Sequence, residues 1–260
     1  ILDSDPAAVG AAYREAIAYA DNDWLALQTT YGHLRVLADL GFRPDNVHMA
    51  LSTLERAMQR MKPPASQWRP DKVFLFAGHM IDAPGRPEPR FPADKEGIAA
   101  ARIGAALDAL GAGVDDLAIA QGAAGGDILF AEACLARGVR FQMLLPLPEP
   151  EFIEASVLPC ANGESWRQRY LALRERLTLP PRIMPDELGP LPRDRDGNAI
   201  DPFERSNLWL LYSALSQGLD RVRFICLWNG GGGDGAGGTA HMVKEVTRRT
   251  GQVTWLDTRE

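Results

Sequence analysis

Cysteine is scarce in this sequence, which contains three among 260 residues. A sparse, odd set of cysteines argues against a disulfide framework and favours a reducing compartment, so we predict a cytoplasmic protein. The sequence also lacks a signal peptide and any apolar run near about 18 residues, so we predict no membrane-spanning helix. The four histidines show no metal-ligand spacing, so we predict no metal site.

An excess of positive charge is also missing. The formal net charge is −6, which argues against general nucleic-acid binding because neutralising phosphates requires a basic face. The hydrophobic and charged fractions, 46% and 24%, are ordinary for a soluble globular protein. The length allows one large domain or two smaller ones. Because the first residue is Ile1 rather than Met, we expect a fragment of a longer protein.

Glycine, by contrast, is concentrated near the end of the chain. Residues 230–238 contain seven glycines, more than a regular element tolerates. The stretch 221–228 before them is predicted to be a buried strand, Thr239 begins a helical pattern that closes at Gly251, and Val253 begins another strand. A glycine turn between a strand and a helix N-terminus leaves backbone N–H groups open and favours an anion, typically a phosphate.

An earlier glycine turn occupies residues 121–127, with the sequence Gln-Gly-Ala-Ala-Gly-Gly-Asp. It follows a short apolar strand at 117–120 and precedes a helix at 128–137, and the next strand is predicted at 141–145. One such turn is weak evidence, because tight connections often need glycine for packing alone. Two turns, each at the carboxyl end of a strand, favour a nucleotide-type site.

The order of strands and helices predicts the fold class. Residues 71–145 alternate between buried apolar strands and helices, which is typical of a parallel sheet with helices on both faces. We therefore predict an α/β, Rossmann-like, doubly wound domain over 71–260 with a mostly parallel sheet. Region 146–202 is less regular, with one helix expected near 165–177 and a long loop over 180–200. Asp201 is expected to cap the helix that follows this loop.

An α-helical segment is predicted over residues 1–62, followed by a proline-rich linker at 63–70. The apolar spacing indicates three helices, the second capped by Asp21 or Asn22. Short helices with brief connections resemble a tetratricopeptide-like unit, which would offer a surface to a protein partner. A plain helical cap on the next domain is an equally good interpretation.

Three short motifs resemble those of the SLOG superfamily, which includes the LOG phosphoribohydrolases and the DNA-processing protein DprA. Residues 122–138 resemble the family's glycine–Asp turn, Leu144-Leu145-Pro146 its following strand, and Gly237-Gly238-Thr239 its Gly-Thr phosphate turn. The resemblance covers about 71–257. It implies a Rossmann-type domain for a nucleotide-derived ligand such as AMP, ADP-ribose or an NAD-like molecule, and relatives that often form homodimers.

One departure from the LOG pattern bears on catalysis. The LOG turn carries a glutamate three residues after its threonine, and here that position is Met242, while Glu245 lies nearly two helical turns past the threonine. This favours a nucleotide-sensing domain of a larger bacterial signalling or conflict protein, with no certain cofactor and unknown catalytic residues. The alternatives are a phosphoribohydrolase or NAD-type N-glycosidase, with Glu132 or Glu204 replacing the missing acid, and a non-catalytic scaffold.

The predicted ligand-binding residues are the glycines of the two turns and polar residues beside them or at the end of the first strand. They are Gly78, His79, Gly122, Gly125, Gly126, Asp127, Arg205, Gly237, Gly238, Thr239 and His241. Glycines 122, 125, 126, 237 and 238 would cradle phosphates with their backbone N–H groups. Each residue also has a purely structural interpretation, such as turn geometry for the glycines and a core position for the histidines.

The polar candidates have more specific expected roles. Asp127 is expected to cap its helix, or else to hold a ribose hydroxyl. Arg205 is expected to neutralise a phosphate, because a guanidinium binds such groups with two donors, and Arg90 and Asn207 are further candidates for polar contacts. A side chain at Gly238 or Gly125 should block the ligand and leave most of the fold intact.

Overall fold

The chain folds into two compact units. One is helical and comprises Ile1–Arg69 with Leu215–Leu219, and the other is an α/β unit of Pro70–Ala214 and Asp220–Glu260. The computed structural model of the protein describes residues 1–20, 23–61, 68–194, 196–231, 237–250 and 253–259. Most of the predicted linker at 63–70 lies outside these residues, as does the predicted helix end at Gly251.

Three helices build most of the helical unit. They are α1 Pro6–Tyr19, α2 Trp24–Asp39 and α3 Pro44–Arg60. Their apolar faces form a small core of their own, made of Val9, Leu27, Leu34, Val47, Ala50, Leu51 and Leu54. Burial of such amphipathic faces, rather than intrinsic helix propensity, supplies most of the stability of short helices.

The beginning of α2 differs from the sequence prediction. Asp23 is the capping residue, and its carboxylate accepts the backbone N–H of Ala26 at 3.0 Å. A cap of this kind satisfies one of the donors that a helix N-terminus leaves open. Asp21 and Asn22, which the sequence suggested as caps, lie outside the described residues.

Parallel strands form the sheet of the α/β unit. They are β1 Val73–Gly78, β2 Leu117–Ala120, β3 Arg140–Leu145, β4 Arg182–Ile183, β5 Val222–Leu227 and β6 Val253–Leu256. Their order across the sheet is β4-β3-β2-β1-β5-β6, and each neighbouring pair is parallel. The predicted α/β, Rossmann-like, doubly wound fold is therefore confirmed.

The strand order reverses at β1. From β1 the chain proceeds through β2 and β3 to β4 on one side of the sheet, and then returns to add β5 and β6 on the other side. Because the connections after β1 and β5 leave in opposite directions, a crevice opens at the carboxyl ends of these two strands. Ligands of doubly wound folds usually bind in such a crevice.

Helices connect the strands of the α/β unit. They are α4 Glu96–Ala109, α5 Gly126–Ala136, α6 Glu149–Ser156, α7 Gly163–Arg176, α8 Met184–Leu188, α9 Pro202–Leu215 and α10 Thr239–Thr250. Region 146–202 is more regular than predicted, since it contains α6, β4 and α8 as well as α7. The two residues of β4 and five of α8 are too short to produce a periodic pattern.

In the described parts of the chain, none of the helices is both long and apolar enough to cross a membrane.

Aromatic side chains hold α5 against the sheet. Phe76 of β1 stacks on Phe130 of α5 with ring centroids 4.6 Å apart, and Phe130 also meets Phe141 of β3 at 6.2 Å. All three side chains are buried, and each such pair adds about 0.5–1.5 kcal/mol beyond its area burial. The N-terminus of α5, and with it the first glycine turn, is thus fixed beside the end of β1.

Close backbone approach explains the glycines where this turn meets β1. A Cβ on Gly126 would lie 3.2 Å from the Cα of Gly78, and a Cβ on Gly125 would lie 2.6 Å from the backbone N of Ile81. Gly125 also has a φ of +95°, a conformation that other L residues rarely adopt. The expectation that a side chain at Gly125 leaves the fold intact is therefore wrong on steric grounds.

We expect Gly125→Ala to lower the free energy of unfolding by at least about 2 kcal/mol, because the new Cβ adds backbone strain and a clash with backbone. For a chain of this size, the midpoint of thermal unfolding should fall by roughly 4–8 °C. Gly97→Ala in α4 is the matched control, since a Cβ there meets nothing within 4 Å. The control should be neutral or stabilising by up to about 1 kcal/mol. Equal midpoints for the two variants would contradict the steric argument.

Candidate functional site

A cleft opens at the carboxyl ends of β1 and β2, beside the N-terminus of α10. Its volume is about 310 Å³. Its walls come from the end of β1, the loop before α4, the first glycine turn, the end of α6, the start of α9 and the second glycine turn. Both glycine turns therefore border one cleft, as expected from their positions after β2 and β5. This cleft lies where the topology of the sheet favours ligand binding.

The cleft brings together some of the predicted ligand-binding residues and leaves out others. Those that line it are Gly78, His79, Asp127, Gly237, Gly238 and Thr239. Those that do not line it are Gly122, Gly125, Gly126, Arg205 and His241. The first turn uses backbone donors in hydrogen bonds inside the protein, and some of the predicted side chains contact other parts of the fold.

The first glycine turn does not present the phosphate cradle that the sequence suggested. The backbone N–H groups of Gly122 and Ala123 both donate to Oδ2 of Asp127, at 3.0 and 3.3 Å. The N–H of Gly126 donates to the carbonyl oxygen of His79 at 3.1 Å. Because these donors already have acceptors inside the protein, they are not available to a bound anion. The anion that this turn binds is the carboxylate of Asp127.

Asp127 is also not the helix cap that the sequence favoured. It is the second residue of α5, and Gly125 stands at the cap position without a side-chain bond. The Asp127 carboxylate instead reaches back to the turn that precedes the helix. Burial raises the pKa of this carboxyl to about 6, against the backbone N–H groups of Gly122 and Ala123, which lower it. The floor of the cleft therefore holds a buried acidic group.

His79 is held as a neutral hydrogen-bonding side chain. Its Nε2 lies 3.0 Å from Oδ1 of Asn229, and that same oxygen accepts the backbone N–H of Gly231 at 3.0 Å. An atom that accepts from a backbone N–H is the oxygen of the amide, so Nε2 of His79 must be the donor. Burial lowers the pKa of His79, which favours the neutral ring. In that ring Nδ1 carries no proton and is an acceptor.

The second glycine turn is held by amide side chains. Nδ2 of Asn207, in α9, donates to the carbonyl oxygen of Gly237 at 2.6 Å. Nε2 of Gln121 lies 3.3 Å from Oγ of Ser206 and 3.4 Å from Oδ1 of Asn207. These bonds connect the end of β2 with the second turn through α9. Gln121 was not predicted as a site residue, although its position directly after the last residue of β2 was a usable signal.

The N-terminus of α10 faces the same cleft. Gly238 and Thr239 line the wall, and the carbonyl oxygen of Gly238 accepts from the N–H groups of His241 and Met242. The N–H groups of Thr239 and Ala240 have no acceptor among the described residues, as is usual in the first turn of a helix. Residues 232–236, the middle of the glycine run, lie outside the described part of the chain.

Arg90 is the arginine that the fold brings to the cleft. Oδ2 of Asp82 accepts the backbone N–H groups of Arg90 and Phe91 at 2.8 and 2.9 Å, and Oγ1 of Thr258 donates to the carbonyl oxygen of Arg90 at 2.5 Å. The backbone of the loop before α4 is therefore fixed on both sides. A guanidinium at this position adds positive charge to the wall of the cleft.

Arg205 has a structural role instead of the predicted one. Its guanidinium donates to the carbonyl oxygens of Leu188, Gly189 and Pro190, at 2.7, 3.0 and 3.0 Å. These bonds connect the start of α9 to the end of α8 and to the two residues that follow it. The structure therefore gives no support to the prediction that Arg205 neutralises a phosphate in this cleft, because the guanidinium bonds to these carbonyl oxygens and the residue does not line the cleft.

The predicted side chain of His241 and the side chain at the position of the LOG glutamate do not line the cleft. His241 is in the first turn of α10, but its Nδ1 is buried without a hydrogen-bond partner among the described residues. Met242, at the position of the LOG glutamate, is 1% exposed and belongs to the buried apolar residues. The first turn of α10 thus contributes backbone and Thr239 to the cleft, while the side chains that follow do not line it.

Neither carboxylate that was expected to replace the LOG acid reaches the cleft. Glu132 forms a two-bond ion pair with Arg169, at 2.9 and 2.6 Å, and Glu204 is also absent from the lining. The acidic side chains that line it are Asp127 and Asp201. Oδ1 of Asp201 accepts the backbone N–H groups of Phe203 and Glu204 at 2.8 and 2.9 Å, which confirms the predicted cap of α9.

Comparisons with known proteins do not extend the resemblance. No protein-family model matches the chain, and no curated protein matches its sequence. Membership of the SLOG superfamily and a tetratricopeptide-like helical segment therefore stay predictions. In the described ranges, no group of three or more His, Cys, Asp or Glu side chains is placed to hold a metal ion.

Asp127→Asn should change how stability depends on pH. Because the pKa of Asp127 is raised from 3.8 to about 6 in the folded protein, its contribution to stability is present below about pH 4 and lost as the pH rises through about 6. The full effect is about 3 kcal/mol. Asparagine does not ionise, so the free energy of unfolding of the variant, relative to the parent, should rise by up to this amount between pH 4 and pH 8.

Denaturant unfolding at pH 4, 6 and 8 measures this difference. Glu175→Gln is the control, since Glu175 is an exposed carboxylate on α7 outside the cleft. The difference in unfolding free energy between Glu175→Gln and the parent should be nearly constant over the same range. A constant difference for Asp127→Asn as well would contradict the burial of an ionisable group at this site.

Proposed function

We propose that the α/β unit binds a nucleotide or nucleotide derivative and serves as the ligand-sensing part of a larger protein. The observation that carries the proposal is the cleft at the reversal of the strand order, bordered by a helix N-terminus, a glycine turn and Arg90. Backbone N–H groups, the positive end of a helix dipole and a guanidinium together favour a phosphate.

The second glycine turn is the better candidate for the phosphate. The N–H groups of Thr239 and Ala240 have no acceptor among the described residues, whereas the first turn uses its donors internally. Gly238 carries no side chain, so a ligand can approach the backbone closely. Arg90 lines the same cleft and would add a positive charge to the anion site.

The size of the cleft favours one mononucleotide unit. Its volume of about 310 Å³ lies at the lower end of the range for small-molecule sites, roughly 300–1,000 Å³. AMP, ADP-ribose and NAD-like molecules all contain such a unit. The two larger ligands would seat one nucleotide in the cleft and extend from it, so AMP is the simplest test ligand.

Hydrolysis of an N-glycosidic bond is the second candidate function, and Asp127 is the observation that favours it. A buried carboxyl with a pKa of about 6 at the floor of a cleft has the protonation behaviour of a general acid. Incubation with AMP or NAD, followed by chromatography for the released base, tests this function. Turnover that Asp127→Asn abolishes would replace the binding proposal with an enzymatic one.

A homodimer and a protein partner for the helical unit are further parts of this proposal, carried over from the resemblance. Light scattering of the purified chain measures the first. If AMP, ADP-ribose and NAD all fail to bind, the non-catalytic scaffold becomes the better account, and the helical unit is then the part to test for partners.

Gly238→Val should weaken nucleotide binding strongly, because a side chain at this position would stand between the ligand and the N-terminus of α10. AMP at about 100 times its dissociation constant should stabilise the parent by roughly 2.7 kcal/mol, which raises the thermal midpoint by several degrees. The variant should lose this increment while its midpoint without ligand falls only slightly.

Gly113→Val is the matched control for this variant, since a Cβ at Gly113 meets nothing within 4 Å and the residue does not line the cleft. It should keep the full ligand-induced shift. If Gly238→Val binds AMP as tightly as the parent and the control, the second turn is only a connection and the phosphate site is elsewhere.

A further inference from the structure

Two side chains that line the cleft can act as hydrogen-bond acceptors. The carboxylate of Asp127 is an acceptor when ionised, and Nδ1 of His79 is an acceptor because Nε2 donates to Asn229. Both residues line the cleft, and their backbones are neighbours, since the N–H of Gly126 donates to the carbonyl oxygen of His79 at 3.1 Å. A ligand group that pairs with these two acceptors must donate hydrogen bonds.

We propose that Asp127 and His79 form a subsite for sugar hydroxyls. The ligand is then a phosphate ester of ribose that keeps its hydroxyl groups, rather than a deoxynucleotide. This inference rests on the proposed nucleotide site and specifies which part of the ligand each wall contacts. The hydroxyls lie against the first glycine turn, and the phosphate lies away from it.

The chemistry of the first turn excludes a phosphate from this wall. Oδ2 of Asp127 already receives the N–H groups of Gly122 and Ala123, so a phosphate there would find no backbone donors in Gly122 and Ala123. It would also meet the charge of the carboxylate in a buried setting, where like charges repel strongly. The same carboxylate favours a neutral donor, because hydrogen bonds to an ionised acceptor are stronger than neutral ones.

A ligand without hydroxyls should bind less well for a second reason. Asp127 is 6% exposed and His79 is 5% exposed, so both side chains are largely shielded from water. A deoxy ligand that covers the cleft would leave Nδ1 of His79 without a ligand donor and the carboxylate of Asp127 with its backbone donors only, and an incompletely satisfied buried acceptor is costly. The hydroxyl groups would therefore decide whether the cleft prefers ribose over deoxyribose ligands, as well as how tightly it binds them.

The experiment compares the affinities of AMP, 2′-deoxy-AMP, 3′-deoxy-AMP and 2′,3′-dideoxy-AMP for the full chain by titration calorimetry. Dideoxy-AMP should bind about 10–100-fold more weakly than AMP, as expected for the loss of a hydrogen bond to a charged group. IMP, which lacks the amino group of adenine, should bind within about threefold of AMP. A large loss with IMP and none with dideoxy-AMP would assign the acceptor wall to the base and overturn the inference.

Variants separate hydroxyl recognition from the effect of net charge. Asp127→Asn should reduce the ratio of AMP to dideoxy-AMP affinity at least threefold. Asp201→Asn is the matched control, because it removes the other carboxylate of the cleft and keeps a good helix cap. Both variants lose one negative charge, but only Asp127→Asn should change the ratio. An equal change in both variants would overturn the assignment.

His79→Phe is a second variant for the same test if Asp127→Asn does not fold. It replaces the imidazole with a ring of similar size that has no nitrogen atoms. This variant should also reduce the ratio of AMP to dideoxy-AMP affinity. If AMP binds and dideoxy-AMP binds equally well to the parent, the hydroxyl subsite is wrong while the nucleotide site survives. If neither AMP nor ribose 5-phosphate binds, the nucleotide proposal and this inference both fail.

Discussion

The bonds from the N–H groups of Gly122 and Ala123 to the carboxylate of Asp127 are the constraint on which the site depends. They close the first glycine turn on an internal anion and so remove it from phosphate binding. The closed turn then packs on the end of β1, where Gly126 approaches Gly78 so closely that a Cβ would lie 3.2 Å away. Without the carboxylate, two backbone donors of the first glycine turn would lose their acceptor, which is costly when they are buried.

Much of the fold could be predicted because its signals are local. Buried parallel strands are continuous apolar runs, and the predicted strand at 117–120 coincides with β2 Leu117–Ala120. The two glycine turns then located the carboxyl edge of the sheet. By contrast, the two residues of β4 pair with Leu144 and Leu145, and a strand this short has no periodicity of its own. Its existence depends on a partner strand that is distant in the sequence, so the pattern indicated a loop.

The site was less predictable, because the role of each side chain depends on partners far along the chain. His79 was named from its place at the end of a strand, but its donor and acceptor atoms are fixed by Asn229, which is 150 residues away. Arg205 has the chemistry of a phosphate ligand, yet its guanidinium is bound to the carbonyl oxygens of Leu188, Gly189 and Pro190. Residue type and position near a strand end indicated the neighbourhood of the site, while tertiary contacts decided which side chains reach it.

The charge of Asp127 is more than the turn requires. An asparagine could offer one oxygen to the N–H groups of Gly122 and Ala123 without the free energy that ionising a buried carboxyl costs above about pH 6. A carboxylate has a second oxygen and accepts more strongly than an amide. Since Asp127 lines the cleft, a ligand donor there would share the carboxylate with the backbone N–H groups of Gln121 and Gly78, which also lower its pKa. A ligand donor that pairs with this carboxylate would offset part of the cost of burying the charge, and such pairing would couple the stability of the α/β unit to occupancy of the cleft.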